Sequence, residues 1–180
     1  SGTDRIAWAA RRWNCAGVIN IQGDEPLIDP EGIGRVAEHL RSHPDDPIVT
    51  LAADALAGDL DSPSVVKVVL DCQGYALYFS RAPIPFPRLP GGAQPLRHLG
   101  IYGYQRAALL ELAALPQTPL EKSESLEQLR ALENRMSIKV LTGARPSLGV
   151  DTAEDAAEVD ARIRREMAEN SDTSEGGAQR

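Results

Sequence analysis

The apolar positions of this chain follow two spacings, one typical of buried strands and one typical of amphipathic helices. A helix-like segment, Asp4 to Trp13, leads into a β-branched run that predicts a strand at Ala16 to Ile21. Asp29-Pro30-Glu31 then has the form of an N-cap followed by proline at the first helical position. The apolar residues after it recur at helical spacing, which predicts a helix that ends near His39 and His43.

The middle of the chain changes from helical to strand-like spacing. After a short strand predicted at Ile48 to Ala52, two β-rich runs, Val65 to Leu70 and Tyr75 to Phe79, are separated by four residues. This arrangement predicts an antiparallel hairpin. Pro83 to Pro95 holds five prolines and two glycines in thirteen residues, so it predicts an irregular surface loop or lid.

At Arg97 to Tyr104 the sequence again shows the two-residue spacing of a strand. It predicts a strand with Leu99 and Ile101 on one face and His98 and Tyr102 on the other. Histidine and tyrosine are amphipathic side chains, and both suit a concave polar site.

Two further helices are predicted after this strand, one at Gln105 to about Leu115 and one that begins at Thr118-Pro119-Leu120-Glu121, a capping box with proline at N1. A last short strand at Ile138 to Leu141 and a final helix from Ala153 complete the pattern. The helix that begins at the capping box carries an apolar and a polar set at helical spacing: Leu120, Leu126, Leu129 and Leu132 in the first, and Glu124, Glu127 and Gln128 in the second.

Alternation of strands and helices, interrupted by one hairpin, is typical of the α/β class. We therefore predict a doubly wound, mostly parallel sheet with an inserted antiparallel hairpin and lid. The 180 residues are enough for one domain and too few for two full ones. Residues 1–168 are assigned to that domain, and the polar residues 169–180, which lack apolar periodicity, are predicted to form a disordered tail.

Charge and composition exclude several classes of function. With a net charge of −7, the chain lacks the excess of basic residues that is typical of proteins that bind nucleic acid. With no signal peptide and no apolar run long enough to span a bilayer, we expect a cytoplasmic protein without membrane insertion. Cys15 and Cys72 have no metal-type spacing and are expected to remain free thiols. His39 and His43 are expected to complement a helix dipole rather than bind a metal.

Two acidic segments carry the clearest candidate chemistry. Gly23-Asp24-Glu25-Pro26 follows the first predicted strand, and Asp151 comes just before the final helix. In an open α/β sheet, ligands sit beyond the carboxyl ends of the strands, where one or two carboxylates can hold Mg2+. If the fold brings both segments to one edge, Asp24 and Asp151 share a divalent metal. Otherwise Asp24 caps a turn and Asp151 caps a helix.

Seven motifs match one enzyme family in order and in register: Gln22-Gly23-Asp24-Glu25-Pro26, Val66 to Asp71, Gly74 to Arg81, Arg97 to Tyr104, Pro119-Leu120-Glu121, Glu124 to Arg130 and Gly149-Val150-Asp151-Thr152. Over Ser1 to about Glu158 the chain resembles the 3-deoxy-manno-octulosonate cytidylyltransferases, also called CMP-Kdo synthetases. The resemblance implies a nucleotide-diphospho-sugar transferase-like fold. It implies a nucleotidyltransferase that joins CTP to the acidic sugar Kdo, giving CMP-Kdo and pyrophosphate for lipopolysaccharide synthesis. It also implies Mg2+ as cofactor and a homodimer.

The resemblance also implies roles for particular residues. Asp24 and Asp151 would be the catalytic carboxylates that hold the metal. The residues that would line the Kdo site share side chains able to pair with a carboxylate or to hydrogen-bond hydroxyls. They are Gln22, Arg81, His98, Tyr102, Glu127 and Gln128.

Each sugar-site assignment has a structural alternative. Arg81 could merely brace the hairpin, and His98 could be a satisfied strand histidine. Glu127 and Gln128 could form a solvated helix face. These alternatives stay open until the positions of the side chains are known.

The chain differs from the family's pattern in two places. The family begins with a strand and a basic, glycine-rich loop that cradles the CTP phosphates, and nothing here matches it. Two β-α units of roughly 30 or more residues each, on the order of 70 residues in all, are expected to be missing, so the 180-residue chain alone is expected to be nearly inactive. The lid at Pro83 to Pro95 is also shorter and richer in proline. The alternatives are a non-catalytic dimerising or sugar-binding remnant and a CMP-sugar synthetase for a related acidic sugar.

Overall fold

The structure is a computed structural model that describes residues 2–23, 26–146, 150, 152–154, 156–157 and 159–165. It divides into two compact units, residues 1–21 with 29–146 and residues 22–28 with 147–180. The first unit contains these helices and strands: α1 (Gly2–Ala10), β1 (Gly17–Asn20), α2 (Pro30–Ser42), β2 (Ile48–Asp54), β3 (Lys67–Leu70), β4 (Ala76–Ser80), β5 (Leu96–Gln105), α3 (Arg106–Ala114), α4 (Pro119–Glu124), α5 (Gln128–Glu133) and β6 (Ile138–Leu141).

The second unit is helical at 153–154, 156–157 and 159–165. The predicted disordered tail, 169–180, lies outside the described residues. Among the helices of the described part of the chain, none is long and apolar enough to cross a bilayer.

One mixed sheet forms the centre of the first unit. Its strand order is β4-β3-β5-β2-β6, and β1 also pairs with β5. The ten-residue strand β5 organises it, because β3 pairs with its beginning, β1 with its end and β2 with its other edge.

The α/β class and the inserted antiparallel hairpin are confirmed, but the expectation of a mostly parallel sheet is wrong for the described strands. Only β2 and β6 pair in parallel, whereas β5 runs antiparallel to β1, β2 and β3. The reason is that β5 enters after the hairpin and the proline-rich loop. A crossover helix would have made it parallel to its neighbours, and none precedes it.

Helices cover both faces of the sheet. On one face, α2 packs so closely that a Cβ atom at Gly103 would lie 2.6 Å from Cγ1 of Val36 and 2.8 Å from Cδ1 of Leu40. Only glycine fits there. The main apolar core is on the opposite face, where residues of α1, α3 and α5 pack against Phe79 and Tyr104.

Local capping and turn signals were predicted correctly. Asp29 caps α2 by accepting a 3.2 Å hydrogen bond from the Glu31 amide. The hairpin pairs Lys67 with Ser80 and Val68 with Phe79. Residues 83–95 contain no helix or strand.

The expectation of one continuous helix after Thr118 is wrong. The structure has two short helices, α4 and α5, with a break at Ser125, whose φ of 54° lies in the left-handed region. The Leu126 amide donates to the carbonyl of Glu121 at 3.1 Å, and the Leu126 side chain turns into the core. The predicted polar face is therefore divided, because Glu124 belongs to α4 and Glu127 precedes α5.

Candidate active site

An aromatic row runs along one face of β5. The ring centroids of His98 and Tyr102 are 5.2 Å apart, and those of Tyr102 and Tyr104 are 5.8 Å apart. Leu99 and Ile101 are their neighbours in sequence, and both are buried. The prediction that His98 and Tyr102 share a face is thus confirmed.

His98 is held as a neutral imidazole. Its Nε2 lies 3.0 Å from Oγ1 of Thr50, and its ring meets Phe79 edge-on at 5.1 Å. Since the Thr50 hydroxyl donates to the Ile101 carbonyl at 2.7 Å, Nε2 of His98 must be the donor in the contact with Thr50. Burial lowers the pKa of His98 to about 3. At neutral pH the ring therefore presents Nδ1 as an acceptor.

Tyr102 carries a buried hydroxyl that forms no well-aligned hydrogen bond within the described part of the chain. The residue is 7% exposed, and its hydroxyl has no hydrogen bond to any described residue. Burial raises its pKa well above the ordinary value, with smaller contributions from Tyr104 and Glu127 that outweigh the opposing effect of the nearby Thr50 hydroxyl, so the phenol stays protonated. An unsatisfied buried hydroxyl costs about 1–3 kcal/mol, which a ligand hydroxyl or a water would offset.

Glu127 connects this row to the first helix. Its Oε2 accepts from the Thr3 hydroxyl at 2.6 Å and from the Thr3 amide at 3.4 Å. Thr3 is 5% exposed, so the contact is partly buried. The alternative of a wholly solvated helix face therefore does not hold for Glu127, since one carboxylate oxygen caps α1. Gln128, the first residue of α5, is half-buried.

Arg81 lies at the open end of the β3–β4 hairpin, where four of its atoms are held. Its amide donates to Oε2 of Glu124 at 2.9 Å, and its Nε donates to the Glu124 carbonyl at 2.9 Å. Its Nη1 donates to the Pro63 carbonyl at 2.9 Å, and its own carbonyl accepts from Nζ of Lys67 at 2.5 Å. Arg81 does brace the hairpin, yet no described residue accepts a hydrogen bond from its Nη2.

The hairpin register relates Arg81 to His98. Ser80, Lys67 and Arg97 lie side by side across β4, β3 and β5. Arg81 and His98 follow Ser80 and Arg97 by one residue in the same direction. Two strand spacings separate them, or roughly 10 Å between backbones.

Glu124 is the anionic centre of the open end. Oε1 accepts from the Ser80 hydroxyl at 2.7 Å and is 3.4 Å from the Tyr78 hydroxyl. Burial by itself raises the pKa of Glu124, but the hydrogen bonds from Arg81, Ser80 and Tyr78 outweigh it and lower the pKa below its ordinary value. Glu124 therefore stays ionised at neutral pH.

Sequence reasoning missed the role of Lys67, which has no exposed surface. The signal was present, since Val66-Lys67-Val68 places a charge inside a β-branched run. A charged residue is almost never fully buried unless its hydrogen bonds are satisfied.

The remaining predicted site residues belong to the second unit. Gln22 is exposed there. Asp24 and Asp151 lie outside the described residues, so their convergence stays a prediction. Within the part of the chain that the structure describes, no group of three or more His, Cys, Asp or Glu side chains could hold a metal ion.

Comparisons with known proteins agree on one family. The sequence profile of the family described as Cytidylyltransferase matches residues 1–138. The 3-deoxy-manno-octulosonate cytidylyltransferase of Syntrophotalea carbinolica is 47% identical over 174 residues, covering 91% of this chain and 70% of that protein. The enzyme of the same name from Trichlorobacter lovleyi is 46% identical over 176 residues, with the same two coverages.

A solved structure supports the same relationship. The structure of CMP:2-keto-3-deoxy-manno-octonic acid synthetase complexed with CTP matches with a TM-score of 0.87 and 39% sequence identity. The match covers 92% of this chain and 69% of that one. On the sequence profile, the identity to these relatives and the shared fold, the chain belongs to the 3-deoxy-manno-octulosonate cytidylyltransferase family of cytidylyltransferases.

Proposed function

We propose that this chain carries the acid-sugar side of an enzyme that joins CTP to Kdo, giving CMP-Kdo and pyrophosphate. The observation that carries the proposal is the position of Arg81 on the same sheet as the His98–Tyr102 row, two strands away from His98. A fixed guanidinium and a neutral polar row lie roughly 10 Å apart on one sheet. The relatives' names specify the substrates, and one of the solved relatives was determined with CTP.

The described side chains suit an acidic, hydroxyl-rich ligand. Nη2 of Arg81 is available to pair with the sugar carboxylate, the group that guanidinium binds best. Nδ1 of His98 can accept a hydrogen bond from a sugar hydroxyl, and the Tyr102 hydroxyl can donate one. Oε1 of Glu127 has no hydrogen bond to a described residue and can accept another. These groups orient the sugar for attack on CTP.

Magnesium is part of the proposal, with Asp24 and Asp151 as its ligands. Two carboxylates with water or phosphate oxygens form the donor set that Mg2+ prefers. When bound, such an ion lowers the pKa of an attacking hydroxyl and neutralises phosphate charge. In the intact protein, Asp24→Asn is expected to reduce turnover far more than it reduces Kdo binding.

The test is pyrophosphate release from CTP, Kdo and Mg2+ by the intact protein, including any residues encoded in frame before Ser1. Arg81→Met should raise the KM for Kdo at least about tenfold and leave the KM for CTP unchanged. Arg41→Met is the matched control, because Arg41 is exposed and, among the residues that the structure describes, pairs with nearby Glu38 alone on α2. An unchanged KM for Kdo in Arg81→Met would contradict the proposed sugar site.

The alternatives give different results in the same assay. Binding of Kdo without turnover by the intact protein would favour a sugar-binding remnant. Faster turnover of an amino analogue of Kdo would favour a synthetase for a related acidic sugar. A polypeptide of only these 180 residues stays predicted to be nearly inactive, since nothing in its sequence matches the phosphate loop; robust turnover by it would contradict that prediction.

We also propose that the protein is a cytoplasmic homodimer, with the hairpin contributing to the interface. Leu77 on β4 is 62% exposed, whereas Phe79 on the same strand is fully buried. A second copy packed on the strand would remove Leu77 from water, and twofold dimers are the commonest assemblies. Light scattering on the 180-residue chain should give about twice its 19.4 kDa mass. A monomer at micromolar concentration would count against the dimer.

A further inference from the structure

Lys67 is a fully buried lysine whose partners among the described residues are all backbone carbonyls. Its side chain has no exposed surface, and Nζ donates to the carbonyls of Ser62 at 2.8 Å, Val65 at 2.7 Å and Arg81 at 2.5 Å. All three ammonium hydrogens are thereby used. No carboxylate of a described residue lies within ion-pair distance of Nζ.

Stability alone does not account for a lysine in this place. Removing an ammonium group from water costs several kcal/mol, and replacing buried charges by apolar groups of similar volume is often neutral or stabilising. Burial lowers the pKa of Lys67, although Asp59 and Glu124 partly oppose that effect. What the charge does supply is a fixed position for three carbonyl oxygens.

Those three contacts determine where Arg81 lies in two ways. One acts directly, because Nζ holds the Arg81 carbonyl. The other acts through the loop before β3. Lys67 holds the carbonyls of Ser62 and Val65, and between them the Pro63 carbonyl accepts from Nη1 of Arg81. Lys67 therefore fixes both the backbone of Arg81 and the acceptor that orients its guanidinium.

The second acceptor of that guanidinium comes from a different element. Nε of Arg81 donates to the Glu124 carbonyl, at the end of α4. With Nε and Nη1 held by two carbonyls, the planar guanidinium has one orientation, and Nη2 is the nitrogen left for a ligand. Because pairing of Nη2 with a carboxylate depends on that orientation, a small shift of Pro63 weakens it.

We propose that Lys67 is a positioning residue that orients the Arg81 guanidinium toward the carboxylate of the acid substrate. The identity of the ligand rests on the function proposed above. The contact between Lys67 and Arg81 does not.

The experiment measures Kdo binding and steady-state kinetics in the intact protein. Lys67→Met keeps the length and bulk of the side chain and removes the three donors. Lys139→Met is the matched control, because Nζ of Lys139 also donates to a hairpin carbonyl, that of Gln73, at the end remote from Arg81. Lys67→Met should raise the Kd for Kdo by calorimetry, and its KM, about tenfold, with kcat within twofold. Lys139→Met should leave both unchanged.

A double-mutant cycle separates positioning from a general structural effect. In the Arg81→Met background, Lys67→Met should cause no further rise in the Kd for Kdo. Full additivity of the two changes would overturn the proposal, as would an unchanged Kd in the single Lys67→Met variant. If Lys67→Met does not fold, Lys67→Gln, which retains two donors, replaces it and should show a smaller rise. If Arg81→Met itself leaves Kdo binding unchanged, the proposed sugar site fails. The Lys67 proposal fails alone when only Arg81→Met has an effect.

Discussion

The two ends of the β3–β4 hairpin are both held by charged side chains. They differ in whether one of those side chains keeps a hydrogen-bond donor that no described residue uses. At the turn end, Asp46 accepts from the Tyr75 hydroxyl at 2.7 Å and contacts Nε2 of His39 at 2.6 Å. Lys139 lies over the Tyr75 ring at 4.7 Å and donates to the Gln73 carbonyl. These groups bind one another.

At the open end, Lys67 and Glu124 are also satisfied, but Arg81 keeps Nη2 without a described partner. The comparison distinguishes two uses of buried charge. A cluster whose groups bind one another stabilises the fold, whereas a cluster that fixes a charged group and leaves one of its donors unused is prepared for a ligand. The histidines illustrate the first case, because His39 binds Asp46 and stacks on His43 at 4.2 Å.

The largest expected effect comes from removing the buried ion pair that holds α4, the helix that carries Glu124, against α5. Glu121 and Arg130 are 3% and 5% exposed and form two hydrogen bonds of 2.8 and 2.5 Å, which join α4 to α5. Arg130→Met leaves the Glu121 carboxylate buried and unpaired, which should destabilise the protein by about 3–5 kcal/mol in urea unfolding. Arg41→Met should change stability by less than about 0.5 kcal/mol. Equal effects of the two variants would show that the buried pair does not support α4.

Next in size is Glu124→Gln, which acts on the open end itself. The amide retains one oxygen acceptor for the donors of Arg81, Ser80 and Tyr78, so stability should fall by about 2 kcal/mol. Because the pKa of Glu124 is lowered in the fold, its contribution is present above its ordinary pKa of 4.5 and is lost as pH falls below that. The Kd for Kdo should rise as well. Loss of stability with unchanged Kdo binding would separate Glu124 from the site.

Asp46→Asn tests whether the turn end of the hairpin contributes to stability without contributing to the sugar site. His39 and Tyr75 lose a charged acceptor, so stability should fall by about 1.5 kcal/mol in thermal or urea unfolding. The KM for Kdo should stay within twofold of the unsubstituted protein, since none of these groups contacts Arg81. A large rise in that KM would show that the turn end also positions the site.

The expected effect that is smallest at neutral pH is the pH dependence caused by His98 in the aromatic row. The pKa of His98 falls from an ordinary 6.5 to about 3 in the fold, so between these values the unfolded chain binds a proton that the folded chain does not. Stability should therefore decrease as pH falls from about 6.5. His98→Gln should flatten the dependence of Tm on pH between 6.5 and 5. An identical slope in both proteins would place the titration at another group.

Much of the fold was predictable because its signals are local. The Asp29 cap, the hairpin and the shared face of His98 and Tyr102 follow from spacings of a few residues and from single-residue preferences. The candidate site was partly predictable for a different reason. Arg81, His98 and Glu127 were chosen from ordered motifs rather than from geometry, and their contacts became known only from the structure.

What the sequence determined by itself is therefore the identity and order of most elements and the family to which they belong. Only the tertiary structure decided the direction of β5 against its neighbours, the break at Ser125 and the complete burial of Lys67. Each of these depends on groups distant in sequence. Strand direction depends on which edge is vacant, and Ser125 adopts positive φ because Leu126 reaches the core. Lys67 is buried because carbonyls from three positions meet at one ammonium group.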